Sequence, residues 1–236
     1  MAGQSVQEEI DKKWDQAFDD WTLGAFFIAL NFFIWWQWYS KTKVNPFLFS
    51  VISVPIIGYC TFKLLRLRSI TRRLKQGRDG ERIVGEELEN LRARGYRVFH
   101  DVIGGDFNVD HVLVGPAGVF AVETKTWSKG KKETITSDGE TLRRNGVRIE
   151  PNPIEQARAN AKWLNNLIRE TTAESFFVIP LVVFPGWWVE CIVKEPQTIV
   201  LNPEQVKGLL KTFPTRLKES EIALIASRLE LVARGK

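Results

Sequence analysis

The stretch Asp110-His-Val-Leu-Val-Gly-Pro-Ala-Gly-Val-Phe-Ala-Val-Glu-Thr-Lys125 permits few folds. Two apolar, β-branched runs flank Gly115-Pro116-Ala117-Gly118, a turn signal. A four-residue loop at 115–118 pairs Val114 with Val119 and Val112 with Ala121, and sets Asp110 directly opposite Glu123. Side chains alternate along a strand, so Lys125 shares a face with Glu123.

That register creates an electrostatic problem. Opposed residues in an antiparallel pair have Cβ atoms about 5 Å apart, and like charges there are destabilising. Two facing carboxylates flanked by apolar residues need a cation or a proton. A divalent metal satisfies them, and Lys125 adds a second positive charge. Asp, Glu and Lys around an oxygen-liganded metal suit phosphodiester hydrolysis, because the ion polarises phosphate and activates water. The ammonium can stabilise developing charge. The other reading is an exposed sheet face on which Lys125 bridges two solvated acids.

The 236 residues suffice for one moderate core and an appendage. A net charge of +5 is compatible with nucleic acid or an anionic membrane surface and selects neither. Only two cysteines, Cys60 and Cys191, and no Cys/His zinc spacing exclude a disulfide framework and fit a reducing compartment.

Two uncharged runs precede the hairpin. Residues 4–20 carry Ile10, Trp14, Ala17 and Phe18 at helical spacing, an amphipathic helix over 1–20. Residues 21–39 hold no charge over 19 positions and crowd Trp21, Trp35, Trp36 and Trp38 at their ends, like an interfacial belt. A polar loop with Lys41 and Lys43 leads to a second uncharged run of 17 residues, Pro46 to Phe62. A two-helix transmembrane hairpin over 21–65 is the expectation, against a buried helical hairpin in a soluble protein. Basic residues at 63, 66, 68, 72, 73, 75 and 78 outweigh Lys41 and Lys43, which places the C-terminal domain in the cytoplasm. Residues 66–79 read as a basic juxtamembrane linker, with anionic lipid as their ordinary contact.

From Gly80 onward the expectation is α/β: a central mixed sheet flanked by helices. Glu81 to Arg94 reads as a helix with Ile83, Val84, Leu88 and Leu91 buried, stopped by Gly95. Tyr96 to Val102 is a strand. Short strands follow at 133–135, 141–143 and 147–149, between Asp138-Gly139 and Asn145-Gly146 turns. A helix runs from Pro153 to Glu170, strands cover 177–184 and 198–201, and helices cover 203–212 and 217–233.

Gly85-Glu86, Asp110-His111-Val112, Gly118 to Lys125, and Asn152-Pro153 with Gln156-Ala157 together resemble the NERD (nuclease-related) domain over residues 78–190. The domain is expected over 80–201, followed by C-terminal helices over 202–236. The resemblance implies the PD-(D/E)XK nuclease superfamily and a restriction-endonuclease-like fold. It makes Asp110 and Glu123 metal-binding acids, the Thr124 backbone carbonyl a further ligand, and Lys125 the catalytic lysine. Glu86 becomes an additional acid from the first helix and Gln156 a polar residue from the second. The proline of the superfamily's name is Val109 here. The implied ion is Mg²⁺, with Mn²⁺ as a substitute.

On a helical wheel, Glu86 lies opposite Val84 and Gln156 opposite Ile154, with Asn160 and Trp163 on the face of Gln156. Neither is core, and both can be solvated positions or site residues. On a regular strand His111 points away from Asp110 and reads as structural or as a support behind the site residues. Trp127 can pack or stack on a base. Trp187 and Trp188 stay open between a loop cap and a membrane contact.

Three functions follow as expectations. The first is a metal-dependent nuclease acting on DNA or RNA, anchored in the bacterial inner (cytoplasmic) membrane as a multi-pass protein. The second is a catalytically silent nuclease-fold module that binds nucleic acid or a protein partner at the membrane. The third is a membrane-assembly protein whose hairpin does the work.

Overall fold

The computed structural model describes residues 4–40, 45–105, 107–130, 133–194 and 196–234. The loop with Lys41 and Lys43 lies outside the described residues. The chain divides into two compact units, residues 4–75 and 76–236.

In the first unit, helix α1 spans Gln4–Tyr39, and the second helix, α2, begins at Pro46 and runs to Glu89. The expected amphipathic helix and first apolar run are therefore one helix. Residues 66–79, expected as a basic linker, are helical, and the division between the two units falls within them. Gly77 and Gly80 interrupt the pattern, but a glycine costs a helix only about 1 kcal/mol, and the neighbouring Arg, Leu and Lys are good helix formers.

Both helices contain a window long and apolar enough to cross a membrane by length and composition, and only 6% and 11% of those windows are buried. A polar seam joins the helices: Asn31 Nδ2 donates to Ser53 Oγ, Ser50 Oγ donates to Asn31 Oδ1 at 3.2 Å, and Trp35 Nε1 donates to Ser50 Oγ at 3.0 Å. A Cβ on Gly24 would sit 3.0 Å from Cys60 Cβ, so the helices approach closely there. Lys63 and Asp20 form an ion pair at 2.8 Å.

The second unit is built on two sheets. The larger holds β1 (Arg97–Ile103), β2 (Asn108–Gly115), β3 (Gly118–Thr124), β7 (Val178–Val183) and β9 (Ile199–Leu201), in the order β1-β2-β3-β7-β9. Its first three strands are antiparallel, while β7 and β9 run parallel to β3. The smaller holds β4 (Thr134–Ser137), β5 (Leu142–Arg144), β6 (Val147–Arg148) and β8 (Trp188–Cys191), in the order β6-β5-β4-β8. The single central sheet expected from sequence is thus two. Strand β8 is hard to read because only Val189 of its four residues is buried.

Helices cover both faces of the larger sheet. Val84, Leu88 and Leu91 pack on Val98, Leu113, Phe120 and Val122, with Val206 and Leu210 of α4 (Pro203–Thr212) beside them. Ile83, expected in this stripe, is 46% exposed. On the other face, Ala161, Leu164 and Ile168 of α3 (Pro153–Thr172) and Ile222, Ile225 and Leu229 of α5 (Glu219–Arg234) pack on Val112, Val114, Val119 and Ala121. The smaller sheet joins the start of α3 through Ile135, Leu142, Ile154 and Ala157. Gly95 at φ 82° ends the 3₁₀ turn that follows α2, where only glycine is at ease.

Candidate active site

The β2–β3 hairpin folds in the register its sequence dictates, with Val114 opposite Val119 and Gly115 opposite Gly118. The ladder ends at His111–Val122, one pair before Asp110 and Glu123. There the strands part, and Asp110 Oδ2 accepts the Thr124 N–H at 2.7 Å in place of a backbone carbonyl. Strand β3 stays attached to β7, since the Lys125 N–H donates to the Val183 carbonyl at 2.9 Å.

Alternation along β3 divides the site between two helices. Glu123 and Lys125 face α3. Glu123 is only 2% exposed, and Lys125 Nζ lies 2.7 Å from its Oε1. Lys125 Nζ also donates to Gln156 Oε1 at 2.9 Å, and Asn160 Nδ2 donates to Glu123 Oε2 at 2.9 Å. Gln156 and Asn160 are four residues apart, one above the other on α3. The structure therefore gathers Asp110, Glu123, Lys125 and Gln156. It adds Asn160, which is buried and missing from the sequence-derived set. A polar residue four positions after Gln156 on a helix packing against β3 was the available signal.

The acid from α2 is Glu81, not Glu86. Glu86 is exposed and, five residues on, points about 140° round the helix from Glu81. Glu81 shares the buried stripe of Val84 and Leu88. Its carboxyl is pushed up to about 7, first by burial, then by the charges of Asp101 and Glu123, with Lys125 opposing. Close packing of α2 on the chain beyond β3 places it there: a Cβ on Gly80 would fall 1.8 Å from Thr126 Oγ1. Asp101 was also missed. It sits at φ 51°, between the pairs His100–His111 and Val102–Val109, on the strand beside Asp110. Non-glycine residues adopt that backbone at a cost, which collects at functional positions.

Burial raises Asp110 well above the ordinary carboxylate range, with Glu123 next and Glu81 adding to it; the Thr124 N–H and Lys125 pull the other way. Burial raises Glu123 as well, against Lys125 and Asn160. These acids are short of positive charge. The Asp110 and Glu123 carboxylates are oxygen donors, suited to a hard cation. Among the described residues, no three His, Cys, Asp or Glu side chains form a ligating group. A cation at this place would rest on Asp110, Glu123, the Thr124 carbonyl and water.

His111 is fully buried and burial pushes it down to about 3, so it is neutral. Its Nδ1 lies 2.8 Å from His100 Nδ1, and His100 Nε2 lies 2.8 Å from Glu89 Oε1, which Arg92 also holds. This chain braces β1 and β2 against the end of α2. Trp127 packs 4.8 Å from Phe184, and Trp187 is buried, donating to the Trp127 carbonyl at 3.2 Å; Trp188 is 63% exposed.

Thermal stability without divalent ions is expected to fall as pH rises from about 4.5 to about 7. The folded chain keeps the Glu81 proton to the upper value, whereas the unfolded chain releases it at the lower one. The stabilisation is therefore complete below that window and gone above it. Melting midpoints across this range should slope less in Glu81→Gln, and an unchanged slope would remove Glu81 from the cluster.

No curated protein and no solved structure matches the chain. Residues 76–185, from the C-terminal part of α2 through β7, match the family model of the nuclease-related domain, NERD. That stretch contains Glu81, Asp110, Glu123, Lys125, Gln156 and Asn160, so the similarity to the nuclease-related domain, which covers a little under half of the chain, spans the residues that the fold brings together here.

Proposed function

We propose that the chain is a membrane-anchored, Mg²⁺-dependent nuclease of the PD-(D/E)XK type. It hydrolyses phosphodiester bonds of DNA or RNA at the cytoplasmic face of the bacterial inner membrane, and Mn²⁺ can replace Mg²⁺. The observation that carries this reading is the pair of half-buried Asp110 and buried Glu123, both held above the usual carboxylate range, with Lys125 Nζ 2.7 Å from Glu123. A pure scaffold gains little from holding two neighbouring acids beside one lysine.

Asp110, Glu123 and the Thr124 carbonyl would hold the ion, which suits a Mg²⁺ site built from one or two carboxylates and water. When bound, the ion polarises a phosphate oxygen and lowers the pKa of a coordinated water. Lys125, steadied by Gln156, stabilises charge developing on the phosphate. Asn160 fixes the Glu123 carboxylate, and Glu81, poised near neutrality, accepts or returns a proton.

The anchor is the helical hairpin. Its apolar windows stay unburied, large apolar residues such as Phe32, Trp36, Phe47 and Leu48 face outward, and Asn31 joins the two helices from inside. Basic residues after the second window set the orientation. Asn31→Leu is expected to weaken the helix pair by about 1 kcal/mol. Titration with a denaturing detergent should then show an earlier loss of helix pairing; an unchanged midpoint would mean that the seam contributes nothing.

The silent-module reading has one observation in its favour: both Glu123 oxygens already have partners, Lys125 and Asn160. Calorimetric titration of the full chain in detergent with Mg²⁺ and Mn²⁺, alongside cleavage of labelled oligonucleotides, separates the two. Ion binding lost in both Asp110→Asn and Glu123→Gln, together with ion-dependent cleavage, supports the nuclease. Nucleic-acid binding with neither ion binding nor cleavage supports the module.

A further inference from the structure

A cleft of about 630 Å³ opens from the candidate active site toward the smaller sheet. Lys125 and Gln156 of the candidate active site are among its lining residues. Trp127, Ile149, Pro151 and Pro153 supply apolar walls, and Arg144 stands at the side. The volume lies within the range of small-molecule sites. Nothing in the hydrolytic chemistry requires it, because that chemistry needs only the acids, the lysine and one phosphate.

The charges lining the cleft are arranged unevenly. Lys125 marks the reacting phosphate. Arg144 is braced by Glu133, by the Ser128 carbonyl at 3.1 Å and by the Trp187 ring 5.0 Å away, so it presents a fixed cation. Two carboxylates, Glu150 and Glu155, also line the cleft. Glu150 is held at 2.8 Å by Arg148, while Glu155 is an exposed residue of the first turn of α3. A phosphate beside these acids would be repelled. An uncharged ring carrying N–H donors is matched, by apolar walls for its faces and carboxylates for its edges.

We propose that this cleft receives a nucleobase of the substrate, the one next to the phosphate held at Lys125. The partner is therefore single-stranded nucleic acid or an unpaired end. A base enters such a cleft only after leaving its stack, and a duplex loses pairing and stacking energy that a single strand does not. Trp127 provides a ring beside the base, and base–aromatic stacking tolerates every sequence. This inference rests on the nuclease reading for the place of the phosphate, but it concerns binding and is tested without cleavage.

The test uses the full chain in detergent, with a chelator present so that nothing is cut. Fluorescence anisotropy measures a labelled single strand and a blunt duplex of the same length at one fixed salt concentration, because phosphate contacts are salt-sensitive. The single strand is expected to bind at least about tenfold tighter. Trp127→Ala and Ser128→Leu should each weaken it about fivefold or more and leave the duplex unchanged. Ser128 is exposed and lines the cleft, so its substitution narrows the space without disturbing packed core. If Trp127→Ala loses its fold, Ser128→Leu alone decides.

Equal affinity for the two forms, no binding of either, or a single-strand affinity indifferent to Ser128→Leu overturns the inference. Cleavage assays with Mg²⁺ keep the two ideas apart. Strand binding blocked by Ser128→Leu but never followed by cleavage leaves the cleft assigned and removes the nuclease. Cleavage without single-strand preference does the reverse.

Discussion

Asp110→Asn is expected to lower cleavage on the order of a thousandfold, the loss of several kcal/mol of metal-assisted stabilisation. The same variant should melt about 3 °C higher when no divalent ion is present, since about 1 kcal/mol moves a domain of this size by 2–4 °C. The two effects have one cause. Asp110 is half-buried, faces the charges of Glu123 and Glu81, and is relieved by the Thr124 N–H and by Lys125. An asparagine can still accept that N–H at 2.7 Å while removing the negative charge. Replacing a buried ion by a neutral group of like shape is often stabilising. Glu123→Gln should abolish cleavage equally but gain little stability, because Glu123 balances Lys125 and accepts from Asn160. Melting curves with and without Mg²⁺ check both. A lower midpoint for Asp110→Asn in chelator would mean that its charge is already compensated in the folded chain, and the argument from unmet negative charge would fail.

The hairpin was legible because strand register has a period of two and a tight turn leaves it no slack. Val114 facing Val119 fixes every later pair, and the apposition of Asp110 and Glu123 follows from it. Helix positions were less legible. Motif matching fell on Gly85-Glu86, whereas Glu81 sits three and seven residues before Val84 and Leu88, on the face that packs against the sheet. A half-buried acid on an apolar stripe looks like the end of the stripe until its partners are known. Asn160 was hidden for a similar reason: beside Gln156 and Trp163 it reads as solvated, and it is buried only because α3 lies across β3. Asp101 carries no sequence signal, since its role depends on a left-handed backbone inside a strand. The second sheet was half visible. Its three hairpin strands follow turn signals, but β8 pairs in parallel with β4 across about fifty residues, which no local pattern encodes.

Lys125→Met separates catalysis from ion binding. Cleavage should fall about a hundredfold or more, the usual cost of losing one group that stabilises developing charge. At a pH where the acids are ionised, divalent-ion affinity should be kept or rise, because the ammonium at 2.7 Å competes with the ion for Glu123. The direction of the pH effect also follows. Lys125 pulls Asp110, Glu123 and Glu81 toward their ionised forms. Without it all three hold their protons to higher pH, so the rise of residual cleavage, and of ion binding, shifts upward. Methionine keeps most of the length of the side chain, and Gln156 is already exposed, so no buried amide loses its partner. Calorimetry and a pH–rate profile on the same preparation read both effects. If Lys125→Met loses ion binding along with cleavage, or its pH profile moves downward, Lys125 holds the site together rather than acting on the phosphate.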